Sequence, residues 1–380
     1  MTRKVLRIRV SSDGALEVVD PGFDALPLLR EVDHRFAVRS APLPSFTSPR
    51  FMRSHAVGAP ISAEDAKRMT LEELRAIHHR SMDQLRSDER ACTAPRSGEL
   101  SVLHLKAVIA TRMLEKCTLC ARQCGVNRIA GEVGPCGLGH RAYVAEHFVH
   151  IAEEAPINPS LLLSLRGCGL RCRYCQQHEL LDASGTQSEE LTKGLWGRLD
   201  STGARSMSFI GGNPDESLPS ILEFLTHAPQ AFPLPIVWNH HAYATEEAID
   251  LLEHVVDAFV PDLKYGNDEC ALRLSGIRHY CATVHQAICR QLGQGVPVIV
   301  RILVLPGHDH CCHRPALEFL ASLPQRDLLE VSIRGQYAPD WKINFADGPL
   351  ASRTTQAEWR DMHDYAIRLG LKVIDSDRPA

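Results

Sequence analysis

No excess of either charge marks this sequence. Its 42 basic and 46 acidic residues leave a formal net charge of −4. That balance supplies no positive field for nucleic acid or anionic lipid, so neither is expected as a partner. No apolar run is long enough to span a bilayer. The first ten residues, MTRKVLRIRV, are basic but lead into neither a long apolar stretch nor a small-residue cleavage site, and no signal peptide is expected. What the chain does have is a sizeable apolar fraction and many cysteines. With 44% hydrophobic residues over 380 positions, it suits one large domain with appendages, or two domains. Thirteen cysteines would allow disulfides, but seven of them fall in two tight groups at metal-ligand spacing. That pattern points to a reducing, cytoplasmic setting.

The first group to consider lies in LLLSLRGCGLRCRYCQQHEL, residues 161–180. Cys168, Cys172 and Cys175 follow a short apolar run, with three and then two residues between them. Thiolates hold iron–sulfur clusters, usually four of them. Three in a compact loop leave one iron of a cubane open to an external ligand. A zinc loop is the alternative, but zinc sites of the closed kind want four protein ligands, and only His178 stands near as a fourth. The spacing, with Tyr174 just before the last cysteine, resembles the signature of the radical S-adenosylmethionine (SAM) enzymes. The resemblance implies a 4Fe-4S cluster whose open iron binds the amino and carboxylate groups of SAM. It also implies reductive cleavage of SAM to a 5′-deoxyadenosyl radical that abstracts hydrogen.

The second group precedes the first, in CTLCARQCGVNRIAGEVGPCGLG. Cys117, Cys120, Cys124 and Cys136 have two, three and eleven residues between them. Four soft ligands with glycines for tight turns make a closed metal site. Ligand softness alone does not separate zinc from iron–sulfur. The element is either a fold-stapling site or an auxiliary electron-transfer cluster.

The N-terminal part carries weaker signals. VLRIRV and ALEVVD read as a short strand pair around Ser12-Asp13-Gly14. Residues 40–60, with four prolines, read as irregular. A helix is expected over 62–90, with Thr70 and Glu73 in a capping box, and a second over 99–116. His78 and His79 are adjacent and would not face one another on a helix, so they are no metal site. Domain limits follow: 1–98 as an extension, 99–150 as a helix with the four-cysteine element, 151–345 as a barrel, and 346–380 as a C-terminal helix and tail.

From Leu161 onward, apolar runs at 161–165, 206–210, 235–238, 258–263, 297–305 and 328–333 read as strands. Helical stretches at 189–199, 218–227, 245–254 and 314–323 lie between them. A strand and a connecting segment at 141–160 precede them, and Glu153 and Glu154 either face the site or form a solvated acidic turn. Alternating strands and helices imply parallel pairing through right-handed crossovers. Six such units suit an open α/β barrel, a partial (β/α)6 fold, in which chemistry collects at the C-terminal strand ends.

The polar motifs fall at those ends. Gly211-Gly212 lets the backbone approach a ligand closely, and Asn213 offers an acceptor to an ammonium group. Asn239 suits a ribose hydroxyl. His240 and His241 stand beside it as core or loop residues. Asp262 and Lys264, two apart, share one side of a strand, either facing SAM or forming a structural ion pair. Arg301 inside an apolar run requires an anionic partner, a role that a carboxylate of SAM or substrate would fill. Cys270 is a tentative catalytic thiol, and the Cys311-Cys312 pair shares its setting after a barrel strand; buried free cysteine is the default for both.

The ordered series CTLCARQCGVNR, EEAPI, CGLRCRYCQQHE, GGNP, PIVWN, PDLKYGNDECALRLS, VIVRILVLPGH and QYAPDW, over roughly residues 98–345, resembles the family described as pyruvate formate-lyase activating enzymes with an N-terminal four-cysteine element. The resemblance implies the partial (β/α)6 barrel, the cluster on Cys168, Cys172 and Cys175, and SAM contacts at Gly211, Gly212, Asp262, Lys264 and Arg301. The commoner form of the glycine motif ends in Glu where Asn213 stands. Extra cluster cysteines of glycyl-radical activators are expected after the radical motif, whereas here they come before it. A reductant such as flavodoxin or ferredoxin is the implied partner, with a protein or a small molecule as substrate. An iron–sulfur electron carrier without SAM turnover would explain the cysteines but not Asp262, Lys264 and Arg301.

Overall fold

A computed structural model describes residues 8–10, 16–18, 49–87, 94–181 and 188–374. Six parallel strands form its centre: β1 (Ser160–Leu165), β2 (Ser206–Gly211), β3 (Ile236–His240), β4 (Ala258–Pro261), β5 (Val298–Leu303) and β6 (Leu329–Arg334). They lie side by side in chain order. Their registers run, for example, Leu163 to Phe209 and Val300 to Val331. Every residue of β1, β3 and β4 is buried, as strands covered on both faces require. Val373–Ile374 adds a parallel strand beyond β6, and Tyr143–His150 adds an antiparallel one beyond β1. The sheet has two ends and stays open, a partial barrel.

α-Helices fill the crossovers from β2 onward. Leu218–Thr226 follows β2, and Glu246–Asp250 follows β3 with Thr245 as its cap. Asp268–Ser275 and Tyr280–Gly293 follow β4, and Arg314–Ser322 follows β5. Gln356–Arg368 starts from a full capping box between Thr355 and Glu358. One continuous apolar cluster reaches from Phe51 to Leu371. No helix among the described residues is long and apolar enough to cross a membrane.

Several expected elements take a different form. The short strand pair is present, Ile8–Val10 against Leu16–Val18, but its turn lies outside the described residues. Within the stretch read as irregular, Arg50–Ala56 is a helix. The single helix expected over 62–90 is two, Ala63–Arg68 and Leu71–Ser87, because Met69 is extended between them. The Thr70–Glu73 box caps the second as expected. Glu99–Ser101 is a strand paired with Gly58–Ser62, so the next helix starts only at Val102, with Ser101 as its cap. Most different is 189–199. Glu189–Glu190 pairs with Tyr143–His150, and Lys193–Arg198 forms only a 3-10 turn. The open edge of that neighbouring strand draws the segment in, and Gly194 and Gly197 weaken helix formation.

Candidate active site and metal centres

A cavity of about 270 Å³ opens at the C-terminal ends of the parallel strands. Cys168, Cys172 and Cys175 lie on one side of it. Gly211, Gly212, Asn213, Asn239, Asp262, Lys264 and Arg301 line it from the strand ends. The sequence reading thus named residues that five separate segments bring together. Cys270 does not line the cavity, so the tentative catalytic thiol stands apart from it.

The cysteine loop is held through its backbone. Gly167 N–H donates to Leu180 O (2.8 Å), and Gly169 N–H donates to Glu216 Oε1 (2.8 Å). Arg173 N–H donates to Leu274 O (2.8 Å). Ser275 Oγ–H donates to the Cys172 sulfur (2.9 Å) and is itself bonded to the Tyr265 hydroxyl at 2.5 Å. Burial, with the Glu216 carboxylate next in weight, raises the Cys168 thiol well above its ordinary range. Burial pushes Cys175 up to about 11. All three cysteines are free of disulfides.

Across the cavity, charges are already matched. Lys264 Nζ donates to Asp262 Oδ2 (2.6 Å). Burial opposes the Lys264 charge, but Asp262 outweighs it and raises the ammonium above its usual range, helped by Cys172 and Cys168. The two residues therefore both face the cavity and pair with one another. Arg301 receives its anionic partners from the protein itself: Nε donates to Glu154 Oε1 (2.7 Å) and Nη2 to Glu154 Oε2 (2.5 Å), and Nη2 also bonds Glu153. Ser332 Oγ donates to Glu154 (2.8 Å), and Arg334 stands 3.7 Å away. Burial would raise the Glu154 carboxyl, but Arg301 and Arg334 together hold it below the ordinary carboxylate range. The expected ligand carboxylate is thus replaced at Arg301 by the internal pair of glutamates.

Asn213 is likewise engaged. Its Nδ2 donates to Glu216 Oε2 (2.6 Å), and its Oδ1 accepts from His241 N–H (3.0 Å). The acceptor expected to meet an ammonium group thus already accepts one hydrogen bond from the fold and keeps its second lone pair. Asn239 differs: its Nδ2 is buried without a hydrogen-bond partner. Two groups escaped the sequence reading. Glu216 binds Gly169, Asn213 and His241 (3.2 Å) at once. Asp215 accepts from Trp238 Nε1 (2.8 Å) and from His240 Nδ1 (2.9 Å), while Gln291 Nε2 reaches His240 Nε2 (2.8 Å). The signal for Glu216 was its place three residues after Asn213, a spacing at which side chains meet in a helical turn.

The four-cysteine element abuts this loop. Cys168 N–H donates to Cys136 O (3.1 Å), and a Cβ on Gly169 would lie 3.3 Å from the Cys120 sulfur. A Cβ on Gly134 would lie 3.3 Å from the sulfur of Cys136 and 3.6 Å from that of Cys124. Arg128 is buried among these groups, donating to Glu216 O (2.9 Å) and reaching the Cys117 sulfur at 3.8 Å. Burial first, then Glu216, raises Cys120, and the same causes push Cys136 up to about 11.

The profile described as Radical SAM superfamily matches residues 162–320, which hold the Cys168 loop and five of the six parallel strands. The chain belongs to the radical SAM superfamily. A protein of Methanocaldococcus jannaschii, "Uncharacterized protein MJ0674", is 30% identical over 325 residues, covering 83% of this chain and 93% of its own. Among solved structures, Streptococcus suis SuiB bound to S-adenosylmethionine is 13% identical with a TM-score of 0.39, over 55% of this chain and 48% of its own. HydG, a maturase of the [FeFe]-hydrogenase, is 13% identical with a TM-score of 0.41, over 84% of this chain and 64% of its own. Membership of the superfamily implies an enzyme that uses a 4Fe-4S cluster and SAM. The site fits both: three free thiols stand at one side of the cavity, and a buried, unpartnered amide stands in its wall.

Proposed function

We propose that this protein binds a 4Fe-4S cluster at Cys168, Cys172 and Cys175, binds SAM in the adjoining cavity, and abstracts hydrogen from a protein or small-molecule substrate. The observation that carries this reading is the placement of three free thiols and the strand-end groups Asn239, Asp262 and Lys264 around one cavity. When bound, the cluster supplies the electron that cleaves SAM to methionine and a 5′-deoxyadenosyl radical. The chain itself provides position and exclusion. Asn239 Nδ2 is a ready donor to a ribose hydroxyl. The Lys264–Asp262 pair offers a cation toward a carboxylate and an anion toward an ammonium. Gly211 and Gly212 leave the space beside the loop free of side chains. Glu216 and Ser275 fix the loop at Gly169 and Cys172, so the thiols keep their places as the ligand enters.

A reductant such as flavodoxin or ferredoxin fits the need for one electron per cycle. The four-cysteine element fits a second metal centre, either zinc or an auxiliary cluster. Activation of a glycyl-radical partner is the narrowest form of this reading. Anaerobically reconstituted protein given dithionite and SAM is expected to release methionine and 5′-deoxyadenosine. Replacing Cys168, Cys172 or Cys175 with Ala should abolish that release. Cleavage that persists in the triple variant overturns the assignment.

A further inference from the structure

Three side chains outside the cavity converge at the barrel rim. Cys270 sits in the first turn of helix Asp268–Ser275, after β4. His308 and Cys311 lie in the segment after β5, where Asp309–His313 forms a single π-helical turn. The Cys270 and Cys311 sulfurs are 3.8 Å apart, and with a ring nitrogen of His308 all three ligand atoms fall within 4.8 Å of one another. A tetrahedral centre with metal–sulfur bonds of about 2.3 Å separates its sulfurs by about 3.8 Å.

The surroundings are those of a prepared ligand set. His308 Nδ1 is 3.0 Å from Pro306 O, which places the ring proton there and leaves Nε2 as a lone pair facing the thiols. Asn267 ties the two ligand-bearing segments together. Its Oδ1 accepts from Cys270 N–H (2.7 Å), while its Nδ2 donates to Cys311 O (2.5 Å) and lies 3.5 Å from the Cys270 sulfur. Cys270 and His308 are buried, and Cys311 is half-buried. Arg273 reaches in from an exposed position, with Nη2 at 3.1 Å from His308 Nε2 and 3.8 Å from the Cys270 sulfur. A guanidinium and a divalent cation compete for the same electron pairs.

We propose that Cys270, His308 and Cys311 form a mononuclear thiolate–imidazole site for a zinc-class divalent ion, separate from both other cysteine groups, with the buried Cys312 sulfur, 3.8 Å from that of Cys311, beside the fourth position. Binding turns two thiols into thiolates and releases two protons. The metal clamps the segments that follow β4 and β5 at the same end of the barrel as the SAM cavity.

The test uses the full chain with its clusters reconstituted anaerobically. Zinc is added, thiols are alkylated with iodoacetamide over a time course that reaches buried Cys270 in the zinc-free chain, and the modified peptides are measured by mass spectrometry. Zinc is expected to protect Cys270 and Cys311, and magnesium to leave both reactive. Metal analysis should show Cys270→Ser and His308→Ala each losing one zinc per chain while keeping the iron of the unaltered protein. Arg273→Met should tighten zinc binding at least tenfold. Alkylation of Cys270 and Cys311 that zinc does not slow overturns the proposal, as does zinc loss that follows Cys117→Ser and spares Cys270→Ser. The alkylation pattern is read on the unaltered chain, so a variant that fails to fold leaves the test intact. None of these readouts depends on SAM cleavage, so this site and the radical reading stand or fall separately.

Discussion

Arg301 shows how the cavity settles its charges before any ligand arrives. The residue sits among apolar neighbours on β5, and Glu153 and Glu154 meet it from the segment before β1. The folded Glu154 carboxyl ionises below its ordinary range, because the pull of Arg301 and Arg334 exceeds the cost of burial. As pH falls, the unfolded chain therefore takes up this proton first. The stabilisation is present above the ordinary carboxylate value of about 4.3 and is lost as pH falls through the lower folded value. Removing one partner of a buried pair costs about 3–5 kcal/mol. Urea unfolding of the cluster-free protein at neutral pH should show that loss for Arg301→Gln, and its acid transition should move to higher pH as Glu154 loses its counter-charge. A change under about 1 kcal/mol, by the same principle, would mean that the pair is not buried as described. The sequence marked Arg301 as a cation in need of an anion. The anion lies 147 positions away, and nothing local in the chain points to it.

At the scale of elements, the turn after β2 is the tightest fit at the site. A Cβ on Gly212 would run into the Gly167 carbonyl, with the Gly167 nitrogen 3.0 Å off, and Gly211 has a φ of 108° beside β1. Two glycines thus let β2 and the cysteine loop share one narrow space. Overpacking of this kind costs about 1–3 kcal/mol. Gly212→Ala should lower the thermal midpoint and reduce the iron retained per chain after reconstitution. Retention equal to that of the unaltered protein would show that the loop has slack. The six strands were legible because their apolar runs are short and recur, with helical stretches between most of them. The 189–199 segment was not, since its structure depends on the free edge of Tyr143–His150, which no local pattern announces. Asn213 stands in the cavity wall, and its bonds to Glu216 and His241 were not legible, because His241 lies 28 positions away.

Across the whole molecule, the two cysteine groups form one assembly. Arg128, Glu216 and the Cys168–Cys136 backbone bond run between them. The four-cysteine element is also anchored to the barrel from its other side, where Thr245 Oγ–H donates to Thr118 O (2.9 Å) and Ala121 N–H donates to Tyr243 O (3.1 Å). Changing Cys117 and Cys120 together to Ser should therefore lower metal content at both places. Electron paramagnetic resonance of the reduced protein should show a weaker signal from the Cys168 loop, with a smaller response to SAM. A signal of unchanged strength and response would show the two places to be independent. The order of the cysteines was plain in the sequence, but their contact was not, because it depends on how the glycine-rich segment folds back.

That shared backbone bond has a consequence for how the protein is made. The Cys168 turn is braced by the neighbouring element through Cys136 O, so the two segments have to be in place together for that bond to form. A Cys168 loop grafted onto another barrel without the Cys136 segment would leave that buried amide without its acceptor.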